Sequence, residues 1–351
     1  MTSTTSLPHD EPLVTAPADA TLSVGQVQDV VALAGLAPSV HNTQPWRFSW
    51  DGHALLVYDE PTRGLPVLDP AGRERILSCG AAVQNAVLAV RGLGRRCDIE
   101  LVADGGAPDL LARLVPGVLE APNEQDRLLA EAIPRRYTDR GIFTSRTVAP
   151  QAVARLQAAA EEDGTWLHPL TRTDEQIALA VLITRAAELE VSDPAYLAEL
   201  SHWRTHERAE EGIPDAAVPD TPGSRRGSDY LLRDFDAATP TEPGTAERDA
   251  GGDEPPASED PLVVVLGTGG DTREDWLRAG MALERVLLQA TVDDLAASPL
   301  SQVIEVPRMR AGLRRELGVI GVPQVVLRVG YGQGRMTTWR RSAGKTLSDI
   351  S

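Results

Sequence analysis

The chain is nearly without lysine: Lys345 stands alone, and the other 33 of its 34 basic residues are arginine. Codon usage produces such a bias in general. Arginine also grips phosphate with a two-pronged fork that lysine lacks, so the places where arginines cluster are the ones to examine. Cysteine is scarce as well. Cys79 and Cys97 are too few and too isolated for a disulfide framework or a zinc site. A reducing cytoplasm fits that usage. The first twenty residues hold no Lys or Arg and no apolar core, so no secretory signal is expected in them. No apolar run approaches membrane-spanning length, and no metal-ligand spacing stands out.

What is present is acid, and it is unevenly placed. The 351 residues carry a net charge of −17, which argues against a nucleic-acid or acidic-membrane partner. Between Glu207 and Asp260, fifteen Asp or Glu face five Arg, a net of −10. About −7 remains for everything else. Periodicity is lost across 207–261, where Pro, Gly and acid dominate. An insert of that length is too long for a mere connection, so it is either a disordered loop or a lid.

The length predicts two domains or one large one. Residues 1–20, rich in Thr, Ser, Pro and acid, read as a disordered tail. Ser23 reads as a helix N-cap before Val27, Val30, Val31 and Ala34. Trp46–Trp50 and Ala54–Tyr58 flank an Asp51-Gly52 turn as a hairpin. Arg73–Gly92 is a long apolar helix. Strands are expected at Cys97–Ala103 and Asp109–Val115, and a helix at Asn123–Ile133. A second helix–strand series follows: Pro150–Glu162, Trp166–Leu170, Asp174–Val191, Pro194–His206, Leu262–Leu266, Trp276–Leu295, Arg308–Leu317 and Gln324–Val329.

Two of these segments match each other. Gly80–Leu88 aligns with Gly280–Leu288 without a gap, with Gly, Ala and Leu identical at three positions. The order of elements around them is also similar. The fold expected is α+β: two related halves, 21–133 and 134–351, form a pseudo-dimer within one chain. Their long helices pack on each other because both are apolar almost all round.

The densest chemistry lies in Pro38-Ser39-Val40-His41-Asn42-Thr43-Gln44-Pro45-Trp46-Arg47-Phe48. Read plainly, it is a turn-rich helix–loop–strand connection. It also resembles the Pro-Ser-x-x-Asn-x-Gln-Pro-Trp-x-Phe motif of FMN-dependent nitroreductases. Arg136-Tyr137-Thr138-Asp139-Arg140 resembles the basic segment that opens a nitroreductase subunit. The whole chain is similar to the Acg-like branch, in which one chain resembles a fused nitroreductase dimer.

That resemblance implies sites made from both subunits, with the basic segment from one and the Ser/Asn loop from the other. Here the first half has the loop and the second half has the basic segment. One composite FMN site per chain is therefore expected, in a protein that is a monomer. The resemblance assigns Arg136 and Thr138 to the FMN phosphate, with Arg340 and Arg341 returning to it. Arg140 falls near the pyrimidine edge of the ring, where positive charge favours the reduced form. Ser39 and Asn42 fall at the same edge, and the backbone of Ile304-Glu305-Val306 near N5. His41 either contacts the flavin or caps the turn. No essential acid or base is implied, since the flavin carries the chemistry.

Other features read as structural. Cys79 beside the central helix is a small buried hydrophobe. Gly267-Thr268-Gly269-Gly270 has the wrong spacing for a phosphate loop, and Ser201-His202-Trp203-Arg204 is expected at the base of a lid. Three functions follow. One is an FMN oxidoreductase taking hydride from NAD(P)H and reducing nitro compounds or quinones. Another is an FMN-sequestering protein whose acidic insert covers the flavin and repels a phosphate-bearing reductant. A degenerate scaffold without cofactor is the third.

Overall fold

The computed structural model describes residues 21–103, 107, 109–162, 164–205, 210–218, 230–233, 235, 259–332, 334 and 338–350. The expected tail and much of the 207–261 insert lie outside these residues.

The chain starts with α1 (Val24–Ala34), closed by the expected capping box. The Ser23 hydroxyl accepts from the Gln26 amide, and the Gln26 side chain accepts from the Ser23 amide. β1 (Trp46–Trp50) and β2 (Leu55–Asp59) form the hairpin. Its turn is held by Asp51 Oδ1, which accepts from the amides of His53 and Ala54. Trp46, Phe48 and Trp50 are buried in alternation, as a one-faced strand requires. α2 (Arg73–Gly92) follows, then β3 (Arg95–Leu101), β4 (Leu110–Leu119) and α3 (Glu124–Ala132), with Asn123 as N-cap.

Next come α4 (Pro150–Ala160), β5 (Thr165–Pro169), α5 (Thr173–Val191) and α6 (Pro194–Trp203). β6 (Arg204–Thr205) and β7 (Ile213–Pro214) make a short parallel pair at the start of the insert. β8 (Leu262–Thr268), α7 (Arg273–Val292), β9 (Ala296–Pro299), α8 (Gln302–Glu305), α9 (Pro307–Leu317) and β10 (Val322–Gly330) build the second half. α10 (Ala343–Thr346) and β11 (Leu347–Ile350) end the described chain.

Two sheets result. One has the order β11-β1-β2-β4-β3 and the other β5-β8-β10-β9. Between them run α2 and α7, packed on each other at their glycines. A Cβ on Gly80 would lie 2.1 Å from the Leu277 carbonyl oxygen. A Cβ on Gly280 would lie 1.9 Å from the Leu77 carbonyl oxygen. Only glycine permits backbones this close, and the contact is reciprocal in the register of the Gly80/Gly280 alignment. The second sheet has apolar clusters on both faces: one with α4 and α7, the other with α5 and α9. That is why β8 is an apolar run rather than an alternating one.

Sequence periodicity missed β9, α8, the β6–β7 pair and β11. The final strand runs parallel to β1, pairing Phe48 with Leu347. The end of the chain thus completes the sheet begun by its first strand. No described helix is long and apolar enough to cross a membrane.

Candidate functional site

The loop after α1 is where the backbone departs most from ordinary geometry. His41, Asn42 and Gln44 all have positive φ, at 47°, 56° and 50°. Side chains other than glycine adopt this region rarely, and clustered strain of this kind marks functional loops. The surroundings hold it in place. Ser39 Oγ accepts from the Gln44 amide at 2.9 Å, and Ser78 Oγ accepts from the Val40 amide at 3.2 Å. Gln44 Nε2 donates to the Glu210 carbonyl, and Gln44 Oε1 accepts from the Arg341 amide. Asn42 Nδ2 donates to the carbonyls of Gly212 and Trp339. The first residues of the insert and the C-terminal segment therefore clamp the loop from two sides.

Two cavities meet at this loop, sharing Pro38, Ser39, Thr138 and Arg140 in their walls. The smaller-walled, polar one is lined by Asn42, Arg136, Tyr137, Thr338 and Arg340. Arg136 Nη2 donates to the Leu36 carbonyl at 3.0 Å. Its Nε lies 3.5 Å from Glu284, while its buried Nη1 has no partner among the described residues. Arg340 donates to the carbonyl oxygens of Ala37, Thr338 and Trp339. Burial and the charges of Arg136 and Arg140 depress Arg340 to about 9, despite the opposing pull of Glu284. Burial together with Arg204 and Arg233 brings Arg140 down to about 10. Three guanidiniums crowd one buried place, with Glu284 the acid against them. Glu284 is itself raised to about 7 by burial. Such a cluster is relieved by an anion.

The second cavity is mostly apolar. Leu77, Leu283 and Leu287 of the central helices line it, with Ile304, Val325 and Leu327. Its polar lining includes His41, Glu74, Ser298, Ser301 and Gln324. His41 is kept neutral, since burial and then Arg233 lower it to about 3. Its Nδ1 and the Asn42 Oδ1 are buried acceptor or donor positions without partners among the described residues.

The expected site residues thus separate. Ser39, His41, Asn42, Arg136, Thr138, Arg140, Ile304 and Arg340 line one or both cavities. Arg341 lines neither, and its guanidinium lies on the Gln44 carbonyl and the Glu60 carboxylate. Of the Arg340-Arg341 pair, only Arg340 lines the site. Glu305 is turned to Arg233. The amides of Ile304, Glu305 and Val306 are used within their own turn, on Ser301 and Gln302, so Ile304 lines the cavity with no free amide behind it.

The insert contributes residues that sequence reasoning passed over. Val218, Leu232, Arg233 and Phe235 line the apolar cavity. Arg233 is buried among Tyr196, Ser301, Glu190 and Glu305. A signal existed: Tyr230 and Phe235 are the insert's only aromatics and flank this arginine. Glu74 was also missed, because an acid in the first turn of a helix is ordinary.

The chain has relatives of similar sequence along most of its length. A Mycobacterium tuberculosis protein (strain H37Rv) named "Putative NAD(P)H nitroreductase" is 34% identical over 306 residues, covering 87% of this chain and 85% of its own. The chain belongs to the nitroreductase family. A second protein of the same strain, "Putative NAD(P)H nitroreductase acg", is 29% identical over 312 residues, covering 89% and 91%. This family member also resembles solved structures at low scores. A Bacteroides fragilis "Nitroreductase with Bound FMN" is 15% identical, with a TM-score of 0.39 over 65% of this chain and all of that one. A putative nitroreductase of Anabaena variabilis is 11% identical, with a TM-score of 0.42 over 80% and 69%. No family model matches the chain.

Proposed function

We propose that the chain is an FMN-binding oxidoreductase with a single composite site, reduced by NAD(P)H and reducing nitro compounds or quinones. The observation that carries this is the junction of the two cavities. An arginine-rich pocket, whose buried Arg136 Nη1 has no partner among the described residues, shares Ser39 and Thr138 with an apolar slot between the central helices. An anionic tail and a flat apolar ring would need that sequence of surroundings. When bound, FMN supplies two-electron chemistry through its ring. Arg136 and Arg340 hold the phosphate, with Thr138 as a hydroxyl donor beside it. Arg140 places positive charge at the junction, toward the ring. His41, neutral, serves as a hydrogen-bonding group and not as a charge.

The composite character rests on origin in the sequence. Ser39 and Asn42 come from 21–133, Arg136, Thr138 and Arg340 from 134–351. The reciprocal Gly80 and Gly280 contacts support reading these as two related halves in a pseudo-dimer. Where the second half would carry its loop, at 158–166, the chain is engaged by protein instead: Arg285 donates to the Ala159 carbonyl at 2.9 Å and pairs with Glu162 at 3.0 Å.

Arg136→Ala and Arg340→Ala test the phosphate assignment. Each charged hydrogen bond is worth about 1.5–3 kcal/mol, so each variant is expected to weaken FMN binding by about 10- to 100-fold in a fluorescence titration. Unchanged affinity refutes the assignment.

One observation favours a second reading, an FMN store with little turnover: Leu232, Arg233 and Phe235 of the acidic insert form part of the cavity wall. Anaerobic mixing of the flavin-loaded protein with NADPH separates the two. Rapid bleaching marks an oxidoreductase; bleaching by dithionite alone marks a store.

A further inference from the structure

Reduction of a quinone or a nitro group needs more than a hydride. A quinone takes a hydride equivalent, which is two electrons and a proton, and a second proton to become a hydroquinone. A nitro group takes the same hydride and proton to become a nitroso group and water. The flavin reading leaves the source of that second proton unassigned.

We propose that Glu74 is the proton donor to the electron acceptor in this cavity. The assignment rests on the flavin reading above. Glu74, Leu77 and Ser78 lie at i, i+3 and i+4 on the first turns of α2, so they share one face, and all three line the cavity. The Glu74 side chain is 13% exposed.

Its bonding fixes where a proton can sit. Arg73 Nη2 lies 2.5 Å from Glu74 Oε1. A guanidinium only donates, so Oε1 is an acceptor and the proton belongs on Oε2. Among the described residues, Oε2 takes no hydrogen bond. Arg73 is itself anchored. Its Nη1 donates to the Gln324 carbonyl at 2.7 Å and to Gln324 Oε1 at 3.3 Å. Gln324 is held by Thr268, Asp271 and Arg310. The carboxyl is therefore aimed by a chain of fixed partners, as a donor must be.

The charged groups around it set its state. Burial and then the Glu305 carboxylate raise Glu74 to about 8, with Asp69 adding to the rise and Arg73 and Arg233 opposing it. It holds its proton at neutral pH and can release it. The other titratable groups of the cavity are mismatched. His41 is already neutral. Arg140 is too weak an acid at about 10, and Arg233 is raised well above the ordinary arginine value by its acidic partners, against its own burial. After transfer, the Glu74 carboxylate is reprotonated from solvent.

The test uses the full chain loaded with FMN, reduced by dithionite without oxygen, and mixed with p-benzoquinone over a range of pH. In the parent, re-oxidation slows as pH rises through about 8. Glu74→Gln should retain FMN with parental affinity, re-oxidise about 10²-fold more slowly and lose that pH limb. Glu74→Asp should recover part of the rate and keep a limb. Independently of turnover, the infrared spectrum of the flavin-free parent at neutral pH should contain a protonated-carboxyl band that is missing in Glu74→Gln. Parental rate and pH profile in a flavin-loaded Glu74→Gln protein overturn the proposal alone, as does an infrared spectrum unchanged by the substitution. A parent that holds no FMN overturns the flavin reading, and this proposal with it.

Discussion

Gln44 shows how a single residue keeps the strained loop in place. It sits at positive φ and reaches both clamps, through Glu210 on one side and Arg341 on the other. Truncation leaves the strain and removes the bonds that balance it. Gln44→Ala is expected to destabilise the protein by about 2–3 kcal/mol, since its side chain makes three hydrogen bonds, each worth about 1 kcal/mol. Denaturant unfolding of parent and variant measures this. Glu284 gives a pH prediction. Its folded value of about 7 stands above the ordinary 4.5, so the folded state binds its proton more tightly. The stability it contributes is complete below pH 4.5 and is lost as pH rises through about 7. Glu284→Gln keeps the neutral shape, so the flavin-free variant should gain stability over the parent across that window. A constant difference would contradict the burial argument.

At the scale of elements, the contact between α2 and α7 depends on two glycines. Gly80→Ala places a methyl group 2.1 Å from the Leu277 carbonyl oxygen, and the helices must separate. A loss of about 1–3 kcal/mol is expected, with a lower Tm. Gly25→Ala on α1 meets nothing within 4 Å and should gain about 0.5–1 kcal/mol. The long elements were legible because their signals are local. Arg73–Gly92 is apolar around its circumference, Ser23 and Asn123 announce their helices, and Trp46, Phe48 and Trp50 alternate. β9, α8 and β11 are four residues each. They exist because of partners distant in sequence, so no window of residues contains the reason for them. The site divides in the same way. The loop and the basic segment carry their chemistry in consecutive residues, and most of them do reach the cavities. Arg233 had only its flanking aromatics to mark it, because its partners Tyr196, Glu190 and Glu305 lie far along the chain. Arg341 was misleading because composition does not say which way a side chain points.

The molecule as a whole joins its first described strand to its last. β11 lies beside β1, and the Trp339–Arg341 segment bonds to Asn42, Ala37 and Gln44. A pocket assembled from α1's following loop, the segment after α3 and the C-terminal segment forms only when the entire chain is folded. The central claim is that this assembly occurs once: the loop chemistry is present in one half and the basic segment in the other. The direct measurement is the amount of FMN bound per chain after reconstitution and removal of excess, by absorbance against protein concentration. About one FMN per chain is the result expected from one composite site. Two per chain, or none, would contradict it.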